Sequence, residues 1–174
     1  LEFRRVLSDL GIEDADQIAS GYKTHASWVP KLIELQKKYI EQLLTHKNPY
    51  TGKTYGEDPA VVMQEIVNED SLFYRGNGDD FSIKPGRYTR LWNQLWNAWL
   101  LATFGDAAAL AKRWAPATDE AGKKGLLSGE DPKAGTVASI PSWADGSRQQ
   151  YTHQRILDSY RHDYEVVLRY QRDM

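Results

Sequence analysis

The sequence predicts an α/β fold, and two observations favour it. Residues 61–67 form a short run that is rich in β-branched residues and apolar on both faces, as in a strand covered on both sides. Longer segments on either side carry apolar residues at the three- and four-residue spacing of amphipathic helices. The strand, bounded at about 61–69, is the only one that the sequence predicts clearly. Because a lone buried strand leaves backbone groups unpaired, the chain is expected to be part of a larger sheet.

Two helices are predicted before this strand. Residues 1–10 have the pattern of a helix that Gly11 would end, and residues 12–29 are irregular. Pro30 is well placed to open a second helix, which would end near His46 because Pro49 follows. This helix is predicted to bury one face, made of Leu32, Ile33, Leu35, Gln36, Tyr39, Ile40, Leu43 and Leu44.

A loop rich in Gly and Asp is predicted at residues 74–86, and a strong helix follows at about 87–103. One stripe of this helix carries Leu91, Trp92, Leu95, Trp96, Trp99 and Leu100. Aromatic residues at helical spacing usually form core, so we interpret the tryptophans as buried and not as a ligand platform.

The remaining residues predict two further helices and a long loop. Asp106 is a suitable N-cap for a helix at about 107–114. Residues 115–146 contain few large apolar residues and are predicted to form a loop, and a last helix is expected at about 147–172. The whole chain, 1–174, is thus treated as one segment, in which residues 74–146 form a loop and helical insertion after the strand.

Composition excludes several classes of function. The net charge is -2 and the isoelectric point is about 6.1, so no basic surface for nucleic acid is expected. No apolar run is long enough for a membrane span, and the four histidines lack the spacing of metal ligands. There is no cysteine and no signal-peptide pattern, which leaves the compartment unassigned. Both ends fall within helical patterns, so we expect a piece of a longer protein.

The polar pair Asn68-Glu69 lies where the predicted strand ends. Active sites of parallel α/β proteins lie at the carboxyl ends of their strands, and a Glu in a partly dry cleft can serve as a general acid. The alternative is that Glu69 only caps the next segment, and periodicity alone favours that alternative. Glu65 would share a face with Glu69, and we interpret it as a buried structural residue that pairs with a neighbouring strand.

Several segments occur in an order that resembles clan A glycoside hydrolases of the cellulase and mannanase type. They are LLTH at 43–46, NPYTG at 48–52, DPA at 58–60 and the Asn68-Glu69 pair. Residues 91–114 and 129–137 are similar to the helical insertion that follows in the same group. The resemblance spans roughly 28–174 and implies a partial (β/α)8 TIM barrel around its fourth strand. Its third strand should lie within 11–29, where this sequence is polar instead.

The resemblance also implies a chemistry. Glu69 would be the general acid/base in retaining hydrolysis of a β-linked glucan or mannan-like glycan, and Asn68 would bind a sugar hydroxyl. A retaining enzyme needs a second carboxylate about 5–5.5 Å from the first. In this group that nucleophile is a Glu on the seventh strand, which this chain does not contain. The isolated chain is therefore expected to be inactive and to require the remainder of the barrel, without a cofactor or metal.

Loop aromatics are the best candidates for sugar stacking, because binding residues favour loops. Tyr74 lies just beyond Glu69, and Trp143 lies in the long loop, so both are candidate substrate-binding residues. A second interpretation remains open, in which the chain is a non-catalytic, mostly helical interaction domain. In that case residues 61–69 would be a core segment and the tryptophan stripe a partner surface.

Overall fold

The computed structural model describes residues 2–18, 24–66, 72, 86–115, 125–139 and 154–174. These residues form the helices α1 (Glu2–Asp9), α2 (Pro30–Thr45), α3 (Arg87–Phe104), α4 (Ala107–Arg113) and α5 (Gln154–Asp173). Two short 3-10 turns, Ala15–Gln17 and Thr24–Ser27, lie between α1 and α2 in the chain. None of the described helices is both long and apolar enough to cross a bilayer.

The predicted α/β fold is wrong for the described residues, which are helical and include neither a strand nor a sheet, so the partial (β/α)8 barrel is not formed. Residues 61–66, expected to begin a buried strand, lie on the surface, with Val62 92% and Met63 85% exposed. The rest of that strand, 67–69, lies outside the described residues. The physical reason is that β-branched residues stabilise a strand only where neighbouring strands cover it and pair with its backbone. No such neighbour occurs in the described ranges.

The chain divides into two compact units, of which unit 1 comprises residues 1–70 and 166–174. In it, α1 ends as predicted at Gly11, whose φ of 80° is accessible to glycine at little cost. The Gly11 N–H donates to the Ser8 carbonyl at 2.9 Å, and the Ile12 N–H donates to the Leu7 carbonyl at 2.9 Å. These two bonds are a Schellman motif. Among the residues of unit 1 that the structure describes, the buried ones are Leu7, Ile12, Ala15, Ile18, His25, Trp28, Val29, Val166 and Tyr170.

Helix α2 has the predicted bounds, with Pro30 in its first turn and His46 as its C-cap. The predicted burial of its apolar face is wrong, because none of its residues is buried. Tyr39 is 64% exposed, and Leu43 is also on the surface. The hydroxyl of Tyr170 donates to Gln36 Oε1 at 2.6 Å, which fixes part of α2 within unit 1.

Unit 2 comprises residues 71–165 and has an apolar core. Helix α3 buries Tyr88, Trp92, Trp96, Asn97 and Leu100. The central cluster contains Trp96, Leu100, Leu110, Trp114 and Val137, with Trp99, Phe104 and Leu126 packed against it. The interpretation of Trp92 and Trp96 as core is therefore confirmed.

The boundaries of unit 2 elements agree largely with prediction. Asp106 accepts a hydrogen bond from the Ala109 N–H at 2.9 Å, which confirms it as the N-cap of α4. The described part of the predicted long loop, 125–139, contains neither helix nor strand. Helix α5 begins at Gln154, and the predicted start at 147 lies outside the described residues.

Candidate functional site

All four predicted site residues lie outside the described part of the chain. They are the proposed catalytic residue Glu69 and the proposed sugar-binding residues Asn68, Tyr74 and Trp143. Their assignments remain predictions. Glu65, which precedes them, is described, and it is exposed instead of buried in a barrel interior, so that interpretation is wrong.

The loop at 125–139 contains one of the segments that carry the resemblance, residues 129–137, and a buried ion pair holds it. Arg155 of α5 donates to both Glu130 carboxylate oxygens, from Nη2 to Oε1 at 2.7 Å and from Nη1 to Oε2 at 2.8 Å. The side chains of Arg155 and Glu130 are 1% and 8% exposed. Arg155 also donates to the carbonyls of Gly125 and Ala138, each at 2.7 Å. A bidentate pair with these additional bonds is geometrically favourable in a dry site.

Glu130 also organises the backbone of its own loop. Its Oε2 accepts from the Leu127 N–H at 2.8 Å, and its Oε1 accepts from the Ala138 N–H at 3.0 Å. Thr136 closes the same loop, because its hydroxyl accepts from the Asp131 N–H at 2.7 Å and donates to the Gly129 carbonyl at 3.0 Å. Both carboxylate oxygens of Glu130 are thus engaged in structural bonds, so this side chain is a loop anchor and not a free acid or nucleophile.

A second ion pair lies between α4 and α5 in unit 2. The Arg113 Nε and Nη2 atoms donate to Asp158 Oδ2 and Oδ1, each at 2.6 Å. The same carboxylate accepts from Trp114 Nε1 at 2.8 Å and from Gln154 Nε2 at 3.0 Å. The hydrogen bond to Asp158 raises the pKa of Arg113, so the guanidinium remains charged. This arrangement satisfies a buried carboxylate and leaves it no free oxygen for chemistry.

His162 is enclosed by indole rings. Its ring lies 4.9 Å from Trp92, 5.3 Å from Trp96 and 5.5 Å from Trp99 between centroids, each in edge-to-face geometry. Its Nδ1 is 3.6 Å from Oδ1 of the buried Asp163. Edge-to-face contacts of this kind stabilise a core. Because His162 is itself buried, we interpret it as a residue of the core and not as a contact for a ligand.

Glu165, the third carboxylate of interest in unit 2, is also engaged. Its Oε2 accepts from Trp99 Nε1 at 2.7 Å, and its Oε1 accepts from Arg161 Nε at 2.9 Å. The Arg161 guanidinium lies 5.7 Å from the centre of the Trp99 ring. Trp99 therefore has Arg161 near one ring face and stacks on Trp96 at 5.5 Å. Stacking on a sugar requires a free ring face, so Trp99 is not a substrate platform.

In unit 1, side chains also shape the turns that lead toward Asn68-Glu69. Asn48 Oδ1 accepts from the Tyr50 N–H at 2.9 Å, and Gly52 closes the predicted turn with a φ of 70°. Asp58 Oδ1 accepts from the Ala60 N–H at 3.0 Å. His46 contacts the turn through its carbonyl, which accepts from the Tyr55 N–H at 3.1 Å. The short polar residues of these motifs thus have local structural roles.

A groove with a volume of about 790 Å³ lies in unit 1, along α2 and residues 61–66. Its lining is largely apolar, which suits aromatic or aliphatic ligands. Its lining residues are Gln36, Tyr39, Ile40, Leu43, Leu44, Tyr55, Val61, Gln64, Glu65, Ile66 and Met174.

The polar stripe of α5 was missed by sequence reasoning. That reasoning predicted the helix without assigning a buried face to it, and its large residue Tyr164 is exposed. The buried polar residues of α5 are Arg155, Asp158, Ser159, His162 and Asp163. The spacing of residues 155, 158 and 162 is helical and could have indicated one face. A search restricted to apolar periodicity does not detect such a face.

No group of three or more potential metal ligands occurs among the described residues. Comparison of the chain with models of protein families, with curated proteins and with solved structures gives no match. The functional assignment therefore depends on the residues themselves.

Proposed function

We propose that this chain is the part of a glycoside hydrolase that carries its general acid/base. The substrate class is a β-linked glucan or mannan-like glycan, and the reaction is retaining double displacement. Glu69 protonates the glycosidic oxygen and later activates water, while Asn68 binds a sugar hydroxyl. The observation that carries the proposal is the ordered series of sequence segments that ends at Asn68-Glu69.

Local structure supports the proposal at the segments around that pair. The turns at 48–52 and 58–60 and the loop at 125–139 are each held by side-chain hydrogen bonds of residues within the resembling segments. Defined loops of this kind are suited to hold binding residues in place. Tyr74 and Trp143 are the proposed stacking partners for the glycan.

The second carboxylate of the reaction has to be a residue other than the carboxylates described above. Glu130 is bound to Arg155, and Glu165 is bound to Trp99 and Arg161. A nucleophile has to lie about 5–5.5 Å from the acid/base with an oxygen free to attack the anomeric carbon. We therefore assign no nucleophile within this chain, and we expect the 174-residue chain alone to hydrolyse no glycoside.

The test is carried out on the protein at the full length of its reading frame. Hydrolysis of β-glucan, β-mannan and an activated aryl glycoside is measured for the native protein and for Glu69→Ala. Loss of a general acid/base lowers the rate on the polysaccharides by about 10²–10⁴-fold. The activated aryl glycoside should lose less in its first step because its leaving group needs no protonation. Added azide should restore turnover and yield a β-glycosyl azide.

Glu57→Gln is the matched control, because it neutralises an exposed carboxylate on the same stretch of chain. Its activity should equal that of the native protein. A Glu69→Ala variant with native activity on both polysaccharides contradicts the assignment of Glu69. A native protein that is inactive on every β-linked glycan tested contradicts the hydrolase proposal as a whole.

A second candidate function, a mostly helical interaction domain, is favoured by one observation. The groove of unit 1 exposes apolar residues of α2 and of residues 61–66, without a strand or sheet in the described part of the chain. The tryptophan stripe is not the surface concerned, because Trp92 and Trp96 are buried. This candidate would be favoured if the native protein is inactive on glycans but binds a partner protein saturably, and if mutation of Tyr39 abolishes that binding.

A further inference from the structure

The groove beside α2 has the size and the apolar lining of a site for one small organic molecule. Its volume of about 790 Å³ lies within the range of about 300–1,000 Å³ that is usual for such sites. Its aliphatic lining residues are Ile40, Leu43, Leu44, Val61 and Ile66. Three of them, Leu43, Val61 and Ile66, are exposed to water. A ligand with an apolar body therefore removes apolar surface from water when it occupies the groove.

The groove is also acidic. Among the described residues that line it, Glu65 has the only charged side chain. Glu65 is exposed, and it makes no hydrogen bond or ion pair with another residue that the structure describes. An unpaired negative charge beside an apolar surface attracts a positive group and repels a negative one. Charge complementarity thus favours a cation as the occupant.

Two tyrosine rings in the lining act in the same direction. Tyr39 is 64% exposed, and its ring has no aromatic or cationic neighbour in the described part of the chain. The ring of Tyr55 lies beside His46, with 5.2 Å between the ring centroids. The face of an aromatic ring attracts an organic ammonium group within about 6 Å of its centre. Tyr39, whose ring is accessible, therefore adds a second attraction for a cation.

The same lining argues against two other classes of ligand. A glycan carries hydroxyl groups over most of its surface, and these would lose hydrogen bonds to water against the aliphatic side chains. An anion would meet Glu65 without a compensating lysine, arginine or histidine among the described lining residues. An organic cation satisfies both the apolar surface and the charge.

We propose that the groove is a binding site for a small organic cation. Its ammonium group pairs with Glu65, and its aliphatic or aromatic body packs against the apolar side chains of α2. Tyr39 contributes through the face of its ring. This site is separate from the proposed glycan chemistry and does not depend on the assignment of Glu69.

The experiment compares three probes that share an apolar body and differ in charge. They are 3-phenylpropyl-trimethylammonium, neutral 3-phenylpropanol and anionic 4-phenylbutanoate. Each is titrated into the full 174-residue chain at low salt, and the amide shifts are followed by ¹H–¹⁵N NMR. The cation should shift amides of residues 36–44 and 61–66, and it should bind at least about tenfold more tightly than the anion.

Glu65→Gln tests the charge directly. It should weaken binding of the cation by about threefold to tenfold and leave binding of the neutral probe unchanged. Added 0.5 M sodium chloride should weaken binding of the cation to the native chain but not to Glu65→Gln, because salt screens the lost attraction. Glu57→Gln is the matched control, since it removes the same charge from an exposed residue of unit 1 that does not line the groove. It should change the affinity far less.

Tyr39→Leu tests the ring, because leucine retains an apolar contact but has no aromatic face. It should weaken binding of the cation by about twofold to fivefold and affect the neutral probe less. Circular dichroism verifies that each variant keeps the native helix content.

Several results would overturn the proposal. One is a cation that binds no more tightly than the anion or the neutral probe, and another is an unchanged affinity in Glu65→Gln. Amide shifts confined to residues away from the groove exclude it as the site. If dilution of the native chain without a probe shifts the amides of residues 36–44 and 61–66, a second copy occupies the groove and the proposal is wrong.

Discussion

Helices α2 and α3 have similar lengths and similar apolar periodicity, yet only one of them is part of a core. Helix α3 buries five residues, whereas α2 buries none. The difference lies in what packs on the apolar face. Trp96 and Leu100 of α3 contact a cluster that includes Trp114 and Val137, while the corresponding face of α2 borders an open groove. Periodicity therefore identifies the face that can be buried, and the surrounding chain determines whether it is.

The largest expected effect tests this difference directly. Trp96→Ala removes a fully buried indole and should lower the free energy of unfolding by about 4 kcal/mol. Tyr39→Ala, its counterpart on α2, should change that free energy by less than about 0.5 kcal/mol, because Tyr39 is largely exposed. Urea unfolding monitored by circular dichroism measures both. Equal destabilisation by the two substitutions would show that α2 is buried in solution.

The next effect concerns the ion pair that anchors the loop at 125–139. Glu130→Gln leaves the buried guanidinium of Arg155 without its counter-charge and should lower the free energy of unfolding by about 3 kcal/mol. The exposed pair Arg161–Glu165 gives the control, since Arg161→Ala should cost less than about 1 kcal/mol. The same urea titration compares them. A negligible effect of Glu130→Gln would mean that the buried pair does not hold the loop in solution.

A smaller effect distinguishes the starts of two helices. Asp106 caps α4 with a side-chain hydrogen bond, while Val29 at the start of α2 provides none. Asp106→Ala should therefore lower the free energy of unfolding by about 1 kcal/mol, and Asp106→Asn should restore most of it. Thermal unfolding of the three proteins is sufficient to rank them. If the Asn variant were no more stable than the Ala variant, the cap would have to act by charge and not by its hydrogen bond.

The smallest effect concerns Glu57, an exposed carboxylate of unit 1. The hydrogen bond from the Thr54 hydroxyl, at 2.8 Å, is the main cause that lowers the pKa of Glu57. A folded-state pKa below the unfolded one adds stability at neutral pH, and this stability is lost as the pH falls through the folded-state pKa. A carbon-detected NMR titration should show the pKa returning toward its ordinary value in Thr54→Val. An unchanged pKa in that variant would exclude the hydroxyl as the cause.

Much of the local structure was predictable from the sequence, because local chemistry determines it. Pro30 opens α2, Gly11 ends α1, and Asp106 caps α4, as predicted. These features depend on residues within one turn of the chain. The strand at 61–69 was not predicted correctly where it is described, because a strand depends on neighbours that the segment itself does not specify.

The candidate site is predictable only in part, for a related reason. The assignment of Asn68 and Glu69 comes from sequence order, and it remains a prediction because both lie outside the described residues. The buried ion pairs of unit 2 were not predicted, since Arg155 and Glu130 are 25 residues apart and no local pattern joins them. The groove was missed because the face of α2 was expected to be covered.

The polar stripe of α5 has a consequence for the order of folding. Its bonds join residues distant in sequence: Arg155 to Glu130 across 25 residues, and Asp158 to Arg113 across 45. The end of the loop at 125–139 that includes Val137 is held by α3 through Asn97, whereas the Arg155–Glu130 pair can form only when α5 has reached the loop. Because long loops have to close before their contacts stabilise the chain, we expect the Glu130 part of the loop to become ordered in the same late kinetic step in which α5 docks within unit 2. The two parts of the loop would then become ordered in sequence.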